Sequence, residues 1–127
     1  MELVAVVVVL ALLEYSYFGL LVGRARMKYG IEAPATTGDP VFERYFRVQM
    51  NTQESLIMFL PGMLLFGYYV SATVAAILGV VWIVGRILYQ ISYVADPKKR
   101  GPGFMLSFLA NIVLVLGGGI GALGNLL

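Results

Sequence analysis

The chain has 127 residues, 60% hydrophobic and 13% charged, against about 25% charged in an average soluble domain. That balance excludes an ordinary soluble globular domain and a disordered chain. A net charge of +2, with nine Lys and Arg in all, leaves too few cations to track a nucleic-acid backbone, and the absence of Cys and His removes disulfides, thiolate ligands and a histidine base.

A membrane helix needs about 20 apolar residues, so four spans joined by short loops fill a single domain over residues 1–127. The first helix is expected over Leu3–Val22, interrupted by one charge, Glu14. A polar connection from Gly23 to Val41 follows, broken by Pro34, Gly38 and Pro40. Asp39-Pro40 reads as a helix start, with Asp39 as the cap and Pro40 at the first helical position. The second helix runs from there to about Val70; it is polar up to Leu56, apolar beyond, and Pro61 is expected to kink it. After a brief connection near Ser71, the third helix covers about Ala72 to Ala95 and carries Arg86. Asp96 to Gly103 reads as a basic loop and Phe104–Leu127 as the fourth helix, whose Gly117, Gly118, Gly119 and Gly121 admit a close neighbour. The expected fold class is all-α, an integral membrane four-helix bundle.

Arg24, Arg26, Lys28, Arg44, Arg47, Lys98, Lys99 and Arg100 all fall at the end that holds the first and third connections. The positive-inside rule therefore places both connections in the cytoplasm and both termini on the other side.

A charge at mid-membrane costs about 2.5–3.5 kcal/mol on insertion scales, so Glu14, Arg47, Glu54 and Arg86 are expected to be paired or functional. At helical spacing Arg44, Arg47, Asn51 and Glu54 share one face. Cations, an amide and an anion in one stripe suit a zwitterionic ligand with more than one carboxylate; mutual pairing at the membrane interface accounts for the same stripe equally well. Arg86, Tyr89 and Tyr93 share a face of the third helix. The tyrosines fit an interfacial belt, and Arg86 is expected to pair with Glu14 or Glu54. Taken alone, Lys98-Lys99-Arg100 reads as a topology determinant and headgroup contact.

Together these segments resemble the MAPEG family, the membrane-associated proteins of eicosanoid and glutathione metabolism. The microsomal glutathione transferase and leukotriene-C synthase branch is the most similar. The resemblance rests on Pro34-Ala35-Thr36-Thr37-Gly38, the run Phe42 to Glu54 (pattern FERxxRxQxNxxE), Gly85-Arg86 with Tyr89 and Tyr93, and Lys98-Lys99-Arg100 with Gly103-Phe104 and Leu106-Ser107. It implies a homotrimer, with glutathione as co-substrate between adjacent subunits near the cytoplasmic side and no metal. Carried over by position, Arg47, Asn51, Glu54, Tyr89 and Tyr93 bind glutathione from one subunit, and Arg26 and Gln49 reach it from the neighbour. Arg100 stabilises the thiolate. Glu14, Arg44 and Arg86 remain as structural or pairing groups.

The implied chemistry agrees with the stripe, because glutathione offers two carboxylates to Arg and an ammonium to Glu54. A free thiol with a pKa of about 8.5 is only about 3% ionised at pH 7, and lowering it by about two units takes about 2.7 kcal/mol, which one guanidinium in a partly desolvated site can supply. The implied activity is a membrane-bound glutathione transferase for detoxification of lipophilic electrophiles, with lipid hydroperoxide reduction as a companion activity. Two departures argue against specific leukotriene synthesis: Ser55 replaces an aromatic beside the Glu, and Met27 replaces a second Arg after Arg26. The competing readings are a non-catalytic lipid-binding scaffold of the same family and a small multidrug transporter using Glu14.

Overall fold

A computed structural model describes all residues, 1–127, as α1 (Glu2–Tyr29), α2 (Pro40–Tyr69), α3 (Ala72–Ala95), a 3-10 turn at Pro97–Lys99, and α4 (Gly101–Leu126). There are no strands, as the all-α reading expects. Three segments are long and apolar enough to cross a membrane: Glu2–Tyr29, Ala72–Ala95 and Pro97–Leu126, with mean hydropathies of 2.2, 2.0 and 2.0. α2 is not among them, since its first half carries the polar run.

Local signals set the ends. α1 does not stop at Val22. It continues through Arg24, Arg26 and Lys28 to Tyr29, and closes where Gly30 turns left-handed at φ 68°. Loss of apolar character marks the edge of a span, whereas Arg, Ala, Met and Lys are all good helix formers. Arg26 and Lys28 also favour the negative end of the helix dipole. At the start of α2, Asp39 Oδ1 accepts the backbone N–H groups of Val41 and Phe42, both at 2.9 Å, as a capping residue should. α2 then runs unbroken through Pro61. α4 begins at Gly101 rather than Phe104, with Pro102 tolerated in its first turn.

The main core joins all four helices around Trp82, Phe59, Met63 and Leu114, with Val4, Val7 and Ala11 from α1. Trp82 and Phe59 stack with ring centroids 4.2 Å apart, worth about 0.5–1.5 kcal/mol beyond their burial. Helix association in lipid relies on such packing rather than on expulsion of water. α3 and α4 meet backbone to backbone at Gly85 and Gly103. A Cβ on Gly103 would collide with the Tyr89 backbone, and one on Gly85 would lie 2.8 Å from the Ser107 nitrogen. This approach brings Arg86 and Tyr89 against the first turns of α4. Of the other α4 glycines, Gly117, Gly118 and Gly121 press on α2, while Gly119 faces open space.

Candidate functional site

A cleft of about 450 Å3 opens at the end of the bundle that holds the 3-10 turn, lined by Arg47 and Asn51 from α2, Tyr89 and Tyr93 from α3, Arg100, and Gly101, Phe104 and Met105 from α4. Helical spacing puts Arg47 and Asn51 on neighbouring turns of one face, and Tyr89 and Tyr93 likewise. The two tyrosine rings stack at 5.4 Å. Arg100 is placed by the short turn: Asp96 Oδ1 accepts from the Lys98 N–H at 3.1 Å, and Arg100 is the residue from which α4 departs. Arg100 and the first residue of α4, Gly101, thus line the same cleft, and a cation and a helix N-terminus both favour an anion there.

Arg47 Nη1 lies 3.4 Å from Glu54 Oε1, with the two side chains 50% and 61% exposed. An ion pair this open is worth about 0–1 kcal/mol, so a ligand can exchange with either half. Glu54 itself lines an adjoining smaller cavity rather than the cleft.

Behind the cleft, Arg86 is 0% exposed. Its Nη2 donates to Asn51 Oδ1 at 2.7 Å and to Thr52 Oγ1 at 2.9 Å, its Nε to Thr52 Oγ1 at 3.2 Å, and its Nη1 to Ser107 Oγ at 3.2 Å. The guanidinium also lies over the Tyr89 ring, 4.3 Å from its centroid. Neutral oxygens and one aromatic face thus hold this cation. Asn51 Oδ1 accepts one of these bonds, and its NH2 makes no hydrogen bond within the chain, while the residue lines both the cleft and the smaller cavity beside it.

The expected pairing of Arg86 with Glu14 or Glu54 is not what the structure contains. Arg86 turns toward α2 and α4, where the Thr52 and Ser107 hydroxyls converge, and Glu54 goes to Arg47. Both Glu14 carboxyl oxygens are buried without a hydrogen-bond partner, and the residue lines an apolar groove with Leu10, Tyr17 and Ile87. Arg44 ties α2 to the end of α3, donating to the Val94 carbonyl at 3.1 Å, and does not line the cleft.

Arg26 and Gln49 also lie away from the cleft within the chain. Arg26 donates to the Ala35 carbonyl at 2.7 Å, rests 4.9 Å over the Phe42 ring, and lines a separate hollow of about 680 Å3 with Met27 and Thr37. The Gln49 amide lies against α1, where a Cβ on Gly19 would be 2.9 Å from its Nε2. Arg47, Asn51, Tyr89, Tyr93 and Arg100 are therefore brought together, Glu54 is at the edge, and Arg26 and Gln49 are apart.

Sequence reasoning missed Thr52, Ser107 and Asn111. For Ser107 and Asn111 the available signal is a polar residue set in an apolar helix, since such groups are buried only with partners; Thr52, inside the polar run of α2, carries no such signal. In the sequence Ser55 stands out only as a departure from the family pattern. Its Oγ accepts the Trp82 Nε1–H at 2.9 Å and the Asn111 Nδ2–H at 3.0 Å, joining three helices. No group of three or more His, Cys, Asp or Glu is arranged to hold a metal ion.

The MAPEG family model matches residues 4–120. A protein of Synechocystis sp. described as uncharacterized is 50% identical over 113 residues, covering 89% of this chain and 82% of that protein. Human microsomal glutathione S-transferase 2 is 42% identical over 125 residues, covering 98% of this chain and 85% of the human protein. Leukotriene C4 synthase of Cavia porcellus is 37% identical over 98 residues, covering 77% of this chain and 65% of that enzyme.

Proposed function

The chain belongs to the MAPEG family, a membrane family of helical bundles, and from that premise we propose that it is a membrane-bound glutathione transferase that uses Arg100 to hold glutathione as the thiolate. The observation that carries this reading is the convergence of Arg47, Asn51, Tyr89, Tyr93 and Arg100, from two helices and the turn that leads into α4, on one cleft. The similarity to microsomal glutathione S-transferase 2 supports the choice of ligand.

In this mechanism a glutathione carboxylate takes Arg47 from Glu54, and Glu54 takes the ammonium. The Asn51 NH2 donates to a second acceptor, and the stacked tyrosines wall the tripeptide. The thiol proton leaves to water and the sulfur stays as an anion beside Arg100 and the α4 N-terminus. Sulfur then attacks the electrophilic carbon of a lipophilic co-substrate drawn from the bilayer, and the leaving group departs with its electron pair. Reduction of lipid hydroperoxides is the companion activity. No protein nucleophile or metal is called for.

The remaining expectations complete the proposal. The chain is one domain with four spans, both termini on the non-cytoplasmic side and the cleft toward the cytoplasm. It works as a homotrimer, in which Arg26 and Gln49 of one copy reach the cleft of the next. Their distance from the cleft within a single chain supports that assignment.

The test is Arg100→Ala. The ultraviolet thiolate absorbance of bound glutathione should vanish. Turnover of 1-chloro-2,4-dinitrobenzene at pH 7 should fall about 25-fold, as the thiolate fraction drops from about 76% to about 3% when the pKa returns from about 6.5 to about 8.5. Unchanged absorbance and turnover would overturn the mechanism.

A further inference from the structure

Beneath the cleft, and sharing Asn51 and Phe104 with it, lies a second cavity of about 150 Å3. Its polar wall includes Ser55, Arg86 and Asn111; its apolar wall is Met58, Phe104 and Phe108.

Two hydrogen-bonding positions of the polar wall are unmet. Asn111 is 3% exposed, and its Nδ2 donates to the Ser55 carbonyl oxygen at 3.1 Å and to Ser55 Oγ at 3.0 Å. A carbonyl oxygen can only accept, so the amide cannot be turned over, and Asn111 Oδ1 is left buried with no donor. Ser55 Oγ accepts from both Trp82 and Asn111. Its two lone pairs are engaged, and its own proton is available to an acceptor. An unmet acceptor and an unmet donor therefore belong to neighbouring side chains of one small cavity, and unmet buried polar groups are costly.

A group that donates and accepts at once answers both, and the commonest such group is a hydroxyl. The cavity is larger than the share of about 30 Å3 that one water takes in the liquid, and Met58, Phe104 and Phe108 suit carbon better than further water. We propose that this cavity is a subsite for the hydroxyl of a lipophilic electrophile, read by Ser55 and Asn111. The two cavities share Asn51 and Phe104, so one substrate can reach both when its hydroxyl is close to the carbon that meets the sulfur. A 4-hydroxyalk-2-enal has this layout. Sulfur bonds to C3, the C2=C3 electron pair moves toward the carbonyl to give an enolate, and a proton from solvent adds at C2.

The proposal rests on the transferase reading, so the experiment has two arms. The first compares 4-hydroxynon-2-enal with non-2-enal, which lacks only the hydroxyl, each rate divided by its uncatalysed rate with glutathione. Asn111→Leu should lower the ratio of kcat/KM for the hydroxylated over the plain aldehyde about tenfold, because it is the polar group that rejects the analogue without its partner. An unchanged ratio would overturn the subsite. Turnover of neither aldehyde by the unaltered protein would instead count against the transferase reading.

The second arm needs no catalysis. Trp82 is the chain's single tryptophan and is bonded to Ser55, so its emission reports on the cavity. Nonan-1-ol should change that emission saturably, and 1-methoxynonane, which cannot donate, should not. An equal response to both, or a response to neither because only water enters, would refute the subsite.

Discussion

Arg47 and Arg86 carry the same charge on adjacent helices and live in opposite circumstances. Arg47 is half exposed and loosely paired with Glu54 at 3.4 Å. Arg86 is sealed and gives its protons to three neutral side chains and its face to Tyr89. The first charge is easily separated from its partner and can serve a ligand. The second is bound into the packing, and its service is to fix other groups. Asn51 stands between them, accepting from Arg86 with its oxygen and lining the cleft beside Arg47.

Substitutions can break this contrast in order of size. Arg86→Met should be the most damaging. It leaves Asn51 Oδ1 without its donor and takes a donor from the Thr52 and Ser107 hydroxyls, which keep only their bonds to backbone carbonyls; each buried polar group left short costs about 1–3 kcal/mol. A large fall in the thermal midpoint in detergent is expected, with Arg86→Lys restoring little because a point charge cannot span three acceptors. A midpoint within a degree or two of the original would show that Arg86 is not a structural keystone.

Asn51→Asp should separate the two duties of that residue. A carboxylate keeps the acceptor for Arg86 and loses the NH2 that the proposed binding mode uses. The thermal midpoint should hold while the KM for glutathione rises about tenfold, the value of about 1.4 kcal/mol for one charge-assisted hydrogen bond. Equal damage to stability and KM would mean that Asn51 serves the packing alone.

Arg47→Ala should have the smallest effect on folding, under about 1 kcal/mol, as befits an exposed pair. Its signature is kinetic: a raised KM for glutathione with kcat nearly kept. A KM that does not move would leave the open arginine without a ligand.

How much of this was legible beforehand differs between the helices. The Asp39 cap, the length of α2 and both ends of α3 follow from residues that act on their own neighbours. The ends of α1 and α4 do not follow from hydropathy, because a span ends where apolar residues stop and a helix ends where the backbone turns, here at Gly30. The stripe Arg47–Asn51 and the face Tyr89–Tyr93 could be read from the helical period, and they do meet in one cleft. Which residues pair across helices could not be read. That depends on how each helix is rotated about its axis, and a rotation that sends Arg86 toward Thr52 and Ser107 takes it from Glu14. Ser55 was opaque for the same reason: its partners, Trp82 and Asn111, lie on two other helices.

The looseness of the Arg47–Glu54 pair bears on what the cleft refuses. A bilayer is crowded with amphiphilic anions, fatty acids and acidic lipids among them, and any of these could compete for a lone arginine at the membrane surface. An occupant with negative charge alone would take Arg47 and leave Glu54 repelling it from about two turns along α2. An occupant carrying both signs replaces both halves of the pair and leaves no charge idle. Under the proposed binding mode, Glu54 therefore works against the commonest acids of the membrane and favours a molecule that brings its own ammonium.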